Sequence, residues 1–261
     1  MAREWNAAAY EGLSSPQTRW GSEFLGRLGL AGDEDAIDAG CGTGKVTRLL
    51  LERLPRGTVL AVDGSRAMVE AAGERFAGEP RVRVEHQDLL ELEVEEPVDL
   101  IFSTATFHWI KDHARLFDRL ARALKPGGRL AAQCGGEGNI SRATRATRKV
   151  MARERFRPFF EGWDDDKNYA GAGETKARLE AAGFEDAETW LHEEPTRFGS
   201  VDEFARFLAT VVLGGHLEKL PEGEREPFAR AVAEEIVAED GEPLLDYVRL
   251  NMTATRSGGG A

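Results

Sequence analysis

The sequence predicts an α/β fold: a doubly wound, mostly parallel sheet with helices on both faces. Three observations predict it. Short apolar strand patterns alternate with amphipathic helical patterns up to Cys134, and strands separated by helices imply right-handed βαβ crossovers. The second strand, Thr58-Val59-Leu60-Ala61-Val62, is apolar almost throughout, as a strand covered on both faces must be. The first strand runs into a glycine loop, Asp38-Ala39-Gly40-Cys41-Gly42-Thr43-Gly44, from which a helix begins.

The elements follow in order. Residues 15–29 form an amphipathic helix with Trp20, Phe24, Leu25 and Leu28 on one face, and core packing is the expected role of Trp20. Residues 35–39 are the first strand. Residues 44–54 are a helix that buries Val46, Leu49, Leu50 and Leu54. After the strand 58–62, Ser65 caps a helix over 65–77. Residues 82–85 and 98–103 are the third and fourth strands. A helix over 112–124 stops before the turn signal Lys125-Pro126-Gly127-Gly128, and residues 130–134 are the fifth strand.

Beyond Cys134 the rhythm breaks. Gly135, Gly136 and Gly138 open a loop, and residues 141–155 form a basic, polar helix. Residues 156–169 hold Phe156, Phe159, Phe160, Trp163 and Tyr169 around Asp164-Asp165-Asp166, a stretch too long for a plain connector. It reads either as a cap beside an active site or as a decoration packing its aromatics on the domain. The acidic run is most simply a solvated loop. Residues 173–182 are a helix closed by Gly183. Residues 188–193 are a sixth strand, 200–213 and 222–239 are helices, and 245–256 are a last strand able to pair antiparallel. The expected organisation is one domain over 1–256. It has a core at 30–135, a helical cap at 1–29, further cap segments at 136–172 and 198–240, and a disordered tail at 257–261.

Composition narrows the function. The chain has 261 residues, 34 of them Lys or Arg and 46 Asp or Glu, for a formal charge of −12. That balance opposes binding to phosphate backbones, so nucleic acid is not an expected partner. Cys41 and Cys134 have neither disulfide nor metal spacing, and no His/Cys/Asp cluster has metal spacing either. The N-terminus lacks a signal-peptide pattern, and no run approaches the roughly 20 apolar residues of a membrane span. A cytoplasmic protein without a membrane partner is expected, as a monomer or homodimer.

The glycine loop carries the chemistry. A dinucleotide-binding loop reads G-x-G-x-x-G, and here Lys45 stands where its third glycine belongs. That counts against a nicotinamide-dependent oxidoreductase. Gly40, Gly42 and Gly44 instead allow close backbone approach to a ligand, with Cys41 between the first two and Asp38 before them. Asp38 is placed for an amino group. Asp63, with Gly64 after it, ends the second strand, where a carboxylate accepts ribose hydroxyls. Gln87-Asp88-Leu89 follows the third strand, where Asp88 either accepts from an adenine amine or caps its loop. Ser103 and Thr104 end the fourth strand.

Asp38–Gly44, Asp63, Gln87-Asp88 and Lys125-Pro126-Gly127-Gly128-Arg129-Leu130 resemble the successive motifs of the class I methyltransferase superfamily. The resemblance implies a Rossmann-like, seven-stranded sheet with an antiparallel last strand, and S-adenosylmethionine as cofactor. Trp5-Asn6 with Tyr10, and Phe107-His108-Trp109 after the fourth strand, are similar to the trans-aconitate, juvenile-hormone acid and malonyl-carrier methyltransferases. That similarity implies a small carboxylate as acceptor. It also places Tyr10 and Gln17 over cofactor and acceptor, and Trp109 in the acceptor pocket. A carboxylate needs no general base. A phenol, amine or carbon acceptor would need one, and His108 is the candidate. The preferred reading of His108 is a hydrogen-bonded residue that shapes the pocket. His86 reads as structural. Arg142, Arg145, Arg148 and Lys149 form either a solvated face or an attractor for an anionic acceptor. A non-catalytic cofactor-binding regulator is the remaining alternative.

Overall fold

The computed structural model describes residues 15–163 and 167–258. Tyr10, Trp5, Asn6, the run Asp164–Asp166, residues 259–261 of the tail and the side chain of Gln17 lie outside that description. The chain divides into two compact units, one of residues 1–137, 168–191 and 250–261, the other of 138–167 and 192–249.

The first unit is built on a seven-stranded sheet. Helix α1 (Ser15–Gly26) precedes β1 (Ala36–Ala39), α2 (Lys45–Arg53), β2 (Val59–Asp63), α3 (Arg66–Arg75), β3 (Val82–His86), β4 (Val98–Thr104), α4 (His113–Ala123) and β5 (Leu124–Gly135). Helix α6 (Ala172–Ala181), β6 (Phe184–Glu193) and β9 (Val248–Arg256) complete it. The strand order is β3-β2-β1-β4-β5-β9-β6. Strand β1 pairs in parallel with both β2 and β4, with Ile37 opposite Leu60 on one side and Ile101 on the other. All four β1 residues are buried, as a central strand between two helical layers requires. The chain leaves β1 in one direction to β2 and β3 and returns on the other side as β4 and β5. The carboxyl ends of β1 and β4 therefore flank the switch point where ligands sit in such sheets.

Strand β9 is the antiparallel one. Ser257 N–H bonds to Gly183 O at the start of β6, and Glu194 N–H at its other end bonds to Tyr247 O. The expected turn at 125–128 is instead a bulge within β5. Val98 lies opposite Leu124 and Leu100 opposite Arg129, with Gly127 at φ 78° taking up the extra residues. Lys125 Nζ reaches Asp99 at 2.9 Å and secures the bulge to β4. The core holds Ile37, Phe102, Phe107, Leu116 and Phe117, all nearly inaccessible.

The second unit contains α5 (Ser141–Met151), a two-stranded ladder of β7 (Thr196–Arg197) and β8 (Leu244–Leu245), and helices α7 (Val201–Phe207), α8 (Gly214–Glu218) and α9 (Glu222–Asp240). The single helix expected over 200–213 is interrupted, because Leu208–Val212 is a π-helical turn between α7 and α8. Phe156 and Phe160 are buried, each about 5 Å from the ring of Phe228 (5.1 and 5.2 Å). Most of the basic face of α5 is paired with acids of α9. Arg142 meets Asp240 (4.0 Å), Arg145 meets Glu239 (2.9 Å), and Lys149 meets Glu235 (3.7 Å). Among the described residues no helix is long and apolar enough to cross a membrane.

Candidate cofactor and active site

The glycine loop leaves β1 in a conformation only glycine adopts cheaply. Gly40, Gly42 and Gly44 have φ of 87°, 53° and 81°. Gly40 and Cys41 N–H groups both donate to Val62 O, at 2.8 and 3.0 Å, which ties the loop to the end of β2. At Gly40 a Cβ would lie 2.1 Å from Thr106 Oγ1, and at Gly44 it would lie 2.6 Å from Phe76. At Gly42 it would meet nothing among the described residues. Among the described residues the loop is thus packed at both ends and open at its centre, a shape suited to cradle a ligand.

Asp38 lies beneath this loop and is 1% exposed. Thr47 Oγ1 donates to its Oδ2 at 2.6 Å, while Oδ1 has no partner among the described residues. Burial raises its pKa to about 7, against the opposing Thr47 hydrogen bond, and the nearby Asp63 charge adds to the rise. A buried carboxylate oxygen without a donor is costly in isolation. An amino group or a water presented there would satisfy it.

Asp63 ends β2 and braces the loop from the other side. Its Oδ2 accepts from Gly42 N–H and its Oδ1 from Ser65 N–H, both at 2.9 Å. A carboxylate of this kind can accept several hydrogen bonds, a hydroxyl's among them. Gln87 N–H bonds to Asp63 O at 3.1 Å, which draws the ends of β2 and β3 together. The Gln87 side chain is engaged with Glu85 and Glu93. Asp88 caps the short 3-10 turn Leu89–Glu91 by accepting from Leu90 N–H at 3.0 Å, and Leu89 is buried. His86 Nε2 meets Gly64 O at 3.0 Å. Ser103 Oγ donates to Ala39 O at 2.6 Å and locks β4 to β1, while the Thr104 side chain lies against Gly21 of α1.

The segment after β4 carries the other half of the site. Ala105 takes φ 57°, and the turn Phe107–Trp109 follows. Gly135 N–H donates to His108 Nδ1 at 3.2 Å. The His108 ring stacks on Tyr169 (5.8 Å, 24°) and lies 5.0 Å from Trp109. Asn168 N–H bonds to His108 O at 2.7 Å, and buried His113 reaches Phe107 O at 2.9 Å from below. With Nδ1 accepting a backbone proton, the neutral ring carries its own proton on Nε2. Neither thiol is nucleophilic at neutral pH. Burial pushes Cys134 up to about 12 and Cys41 well above its ordinary value.

Thr106, Gly135 and Tyr169 lie against the candidate site residues but carry no motif. Thr106 is recognisable only because it fills the space above Gly40, and the other two only because they reach His108.

Asp63→Ala should weaken binding of S-adenosylhomocysteine by roughly 10- to 100-fold, since hydrogen bonds to a charged group contribute about 1.5–3 kcal/mol. Calorimetry would measure it, with circular dichroism confirming the fold. Unchanged affinity would remove Asp63 from the site.

The family model described as a methyltransferase domain matches residues 36–128, the stretch that holds these strand ends. A trans-aconitate 2-methyltransferase of Methylobacterium nodulans is 32% identical over 97% of this chain and 99% of its own. One from an Acidovorax species is 29% identical over the same shares. The fold is similar to that of a phosphoethanolamine N-methyltransferase of Haemonchus contortus, solved with S-adenosylhomocysteine. The TM-score is 0.63 at 20% identity, covering 96% of this chain and 57% of that one. The chain belongs to the class I S-adenosylmethionine-dependent methyltransferases, in the group that contains the trans-aconitate 2-methyltransferases.

Proposed function

We propose that this methyltransferase acts on an oxygen of a small carboxylate. The observation that carries this reading is the hydrogen bond from Gly135 N–H to His108 Nδ1, at the carboxyl end of β4. It makes His108 a donor at Nε2, the role a carboxylate acceptor calls for. The full-length relatives named trans-aconitate 2-methyltransferases support the same class of acceptor.

When bound, S-adenosylmethionine supplies an electrophilic methyl group on a sulfonium. The residues then have separate tasks. Asp38 accepts from the amino group of the cofactor's amino-acid end, and Gly40, Cys41, Gly42 and Gly44 form the cradle beneath it. Asp63, with Gly64, takes the ribose hydroxyls. Asp88, with Gln87 and Leu89, frames the adenine. Ser103 and Thr104 floor the site, and Trp109 walls the acceptor. A carboxylate is already ionised at neutral pH and attacks without losing a proton. His108 Nε2–H would hold one acceptor oxygen and leave the other to accept the methyl group that the cofactor would supply. In-line positioning of this kind is the main lever on the rate. For His108 to act as a base its proton would have to move to Nδ1, against Gly135 N–H, with loss of a hydrogen bond that costs about 1–3 kcal/mol to leave unmade.

The test is transfer from methyl-labelled cofactor to trans-aconitate and other small acids, beside matched phenols and amines. The expected product is a base-labile methyl ester. His108→Gln, which keeps a donor, should retain kcat/KM within about tenfold, and His108→Ala should lose about 10- to 100-fold. Transfer to phenols or amines with none to any acid, or equal losses in the two variants, would overturn the reading.

A further inference from the structure

We infer that the second unit carries a binding pocket of its own for a small organic carboxylate with an apolar body, a site separate from the residues assigned above to methyl transfer. Three independent features converge on one shallow depression that is open to solvent.

The first is charge. Helix α5 and the residues just after it carry a run of cations, of which Arg142, Arg145, Lys149 and Arg153 are matched by Asp240, Glu239 and Glu235 of α9. Arg148 is set apart from that ladder. Four residues after Thr144, it shares that residue's face and borders the depression, and among the described residues no carboxylate pairs with it. Lys167 borders the same depression and donates to Val212 O at 3.2 Å. A guanidinium fork and an ammonium on one small concavity are a carboxylate-binding pair.

The second is backbone conformation. Val212, which lines the pocket, ends the π-helical turn Leu208–Val212. Such turns interrupt a helix at a cost and recur at functional sites. Ile140, also on the lining, adopts φ 49°, a left-handed conformation that a β-branched residue avoids. It is held there by its N–H bond to Asp246 O at 2.9 Å, while the Asp246 side chain accepts from Ser141 Oγ and Arg142 N–H. Two costly backbone states on the wall of one pocket point to a shape maintained for a ligand.

The third is the lining itself. Trp163 and Met151 offer an apolar surface, and the buried Thr147 and His216 add polar groups between them. The Trp163 ring is fixed edge-on to His216 at 4.5 Å. A planar acid would set its carboxylate on Arg148 and Lys167 and its body on Trp163.

Methionine-methyl NMR of the full chain reads this pocket directly, because Met151 lines it while Met68 and Met252 are buried in the first unit. The probe is benzoate, with benzamide as the neutral control. Benzoate should shift the Met151 methyl in a saturable way and leave Met68 and Met252 in place. Arg148→Gln, an exposed position whose loss spares the fold, should weaken benzoate by about tenfold or more. An unmoved Met151 signal, equal binding of benzamide, or unchanged affinity in the variant would overturn the assignment. None of these readouts involves methyl transfer, so failure of the carboxylate-acceptor reading would leave them unaffected.

Discussion

Gly40→Ala should abolish measurable S-adenosylmethionine binding and lower stability by about 2–5 kcal/mol. Left-handed backbone costs an L-residue roughly 1–2 kcal/mol, and overpacking a tight site roughly 1–3. Both act here, because Gly40 has φ 87° and an added Cβ would lie 2.1 Å from Thr106 Oγ1. Relief cannot come cheaply, since Thr106 Oγ1 bonds to Thr104 O at 3.0 Å and approaches Gly40 O at 3.3 Å. Denaturant unfolding and calorimetry are the measurements. Adding Thr106→Gly should recover the packing part of the loss and leave the backbone part. Gly42→Ala is the matched control, with φ 53° and no atom of the described residues within reach of the new methyl. Its stability cost should be about 1 kcal/mol, so any larger loss of affinity there would report contact with the ligand. Gly40→Ala with wild-type stability would mean that Thr106 yields and that the loop is looser than its packing implies.

That contrast also marks how far the sequence could be read. Strands β1 to β5 were legible because parallel strands covered on both faces must be apolar runs, and β2 is one. Asp38, Asp63 and Asp88 were legible as a set because each lies at or near the carboxyl end of successive strands. The reason Gly40 must be glycine was not legible. It depends on Thr106, 66 residues away, through a contact no periodicity encodes. The same holds for His108, whose tautomer is set by a backbone N–H 27 residues on. The cations of α5 were ambiguous because their partners lie some 90 residues later on α9, with 94 between Arg145 and Glu239. The π-helical turn at 208–212 was invisible because one extra residue in a turn leaves an apolar face almost unchanged.

Asp38 provides a test in which stability and binding move in opposite directions. Its pKa in the cofactor-free fold is about 7, against an ordinary value of 3.8, chiefly through burial. Between those values the folded state binds more protons than the unfolded state, so its contribution to stability falls as pH rises through that window and is flat above about 7. Asp38→Asn removes the buried charge, keeps an oxygen for Thr47, and should raise the melting temperature of the cofactor-free protein at pH 8. The same change presents an amide N–H₂ where the cofactor's ammonium needs an acceptor, and should weaken S-adenosylhomocysteine binding by about 100-fold or more. Binding that requires the ionised carboxylate must also release a proton below pH 7. The dissociation constant of the wild type should therefore rise about tenfold from pH 8 to pH 6, and that dependence should vanish in the asparagine variant. Calorimetry in buffers of different ionisation enthalpy would count the proton directly. A pH-independent affinity in the wild type, or an asparagine variant that binds as tightly, would place the cofactor's amino group on some other acceptor and leave Asp38 Oδ1, unpartnered among the described residues, to a buried water.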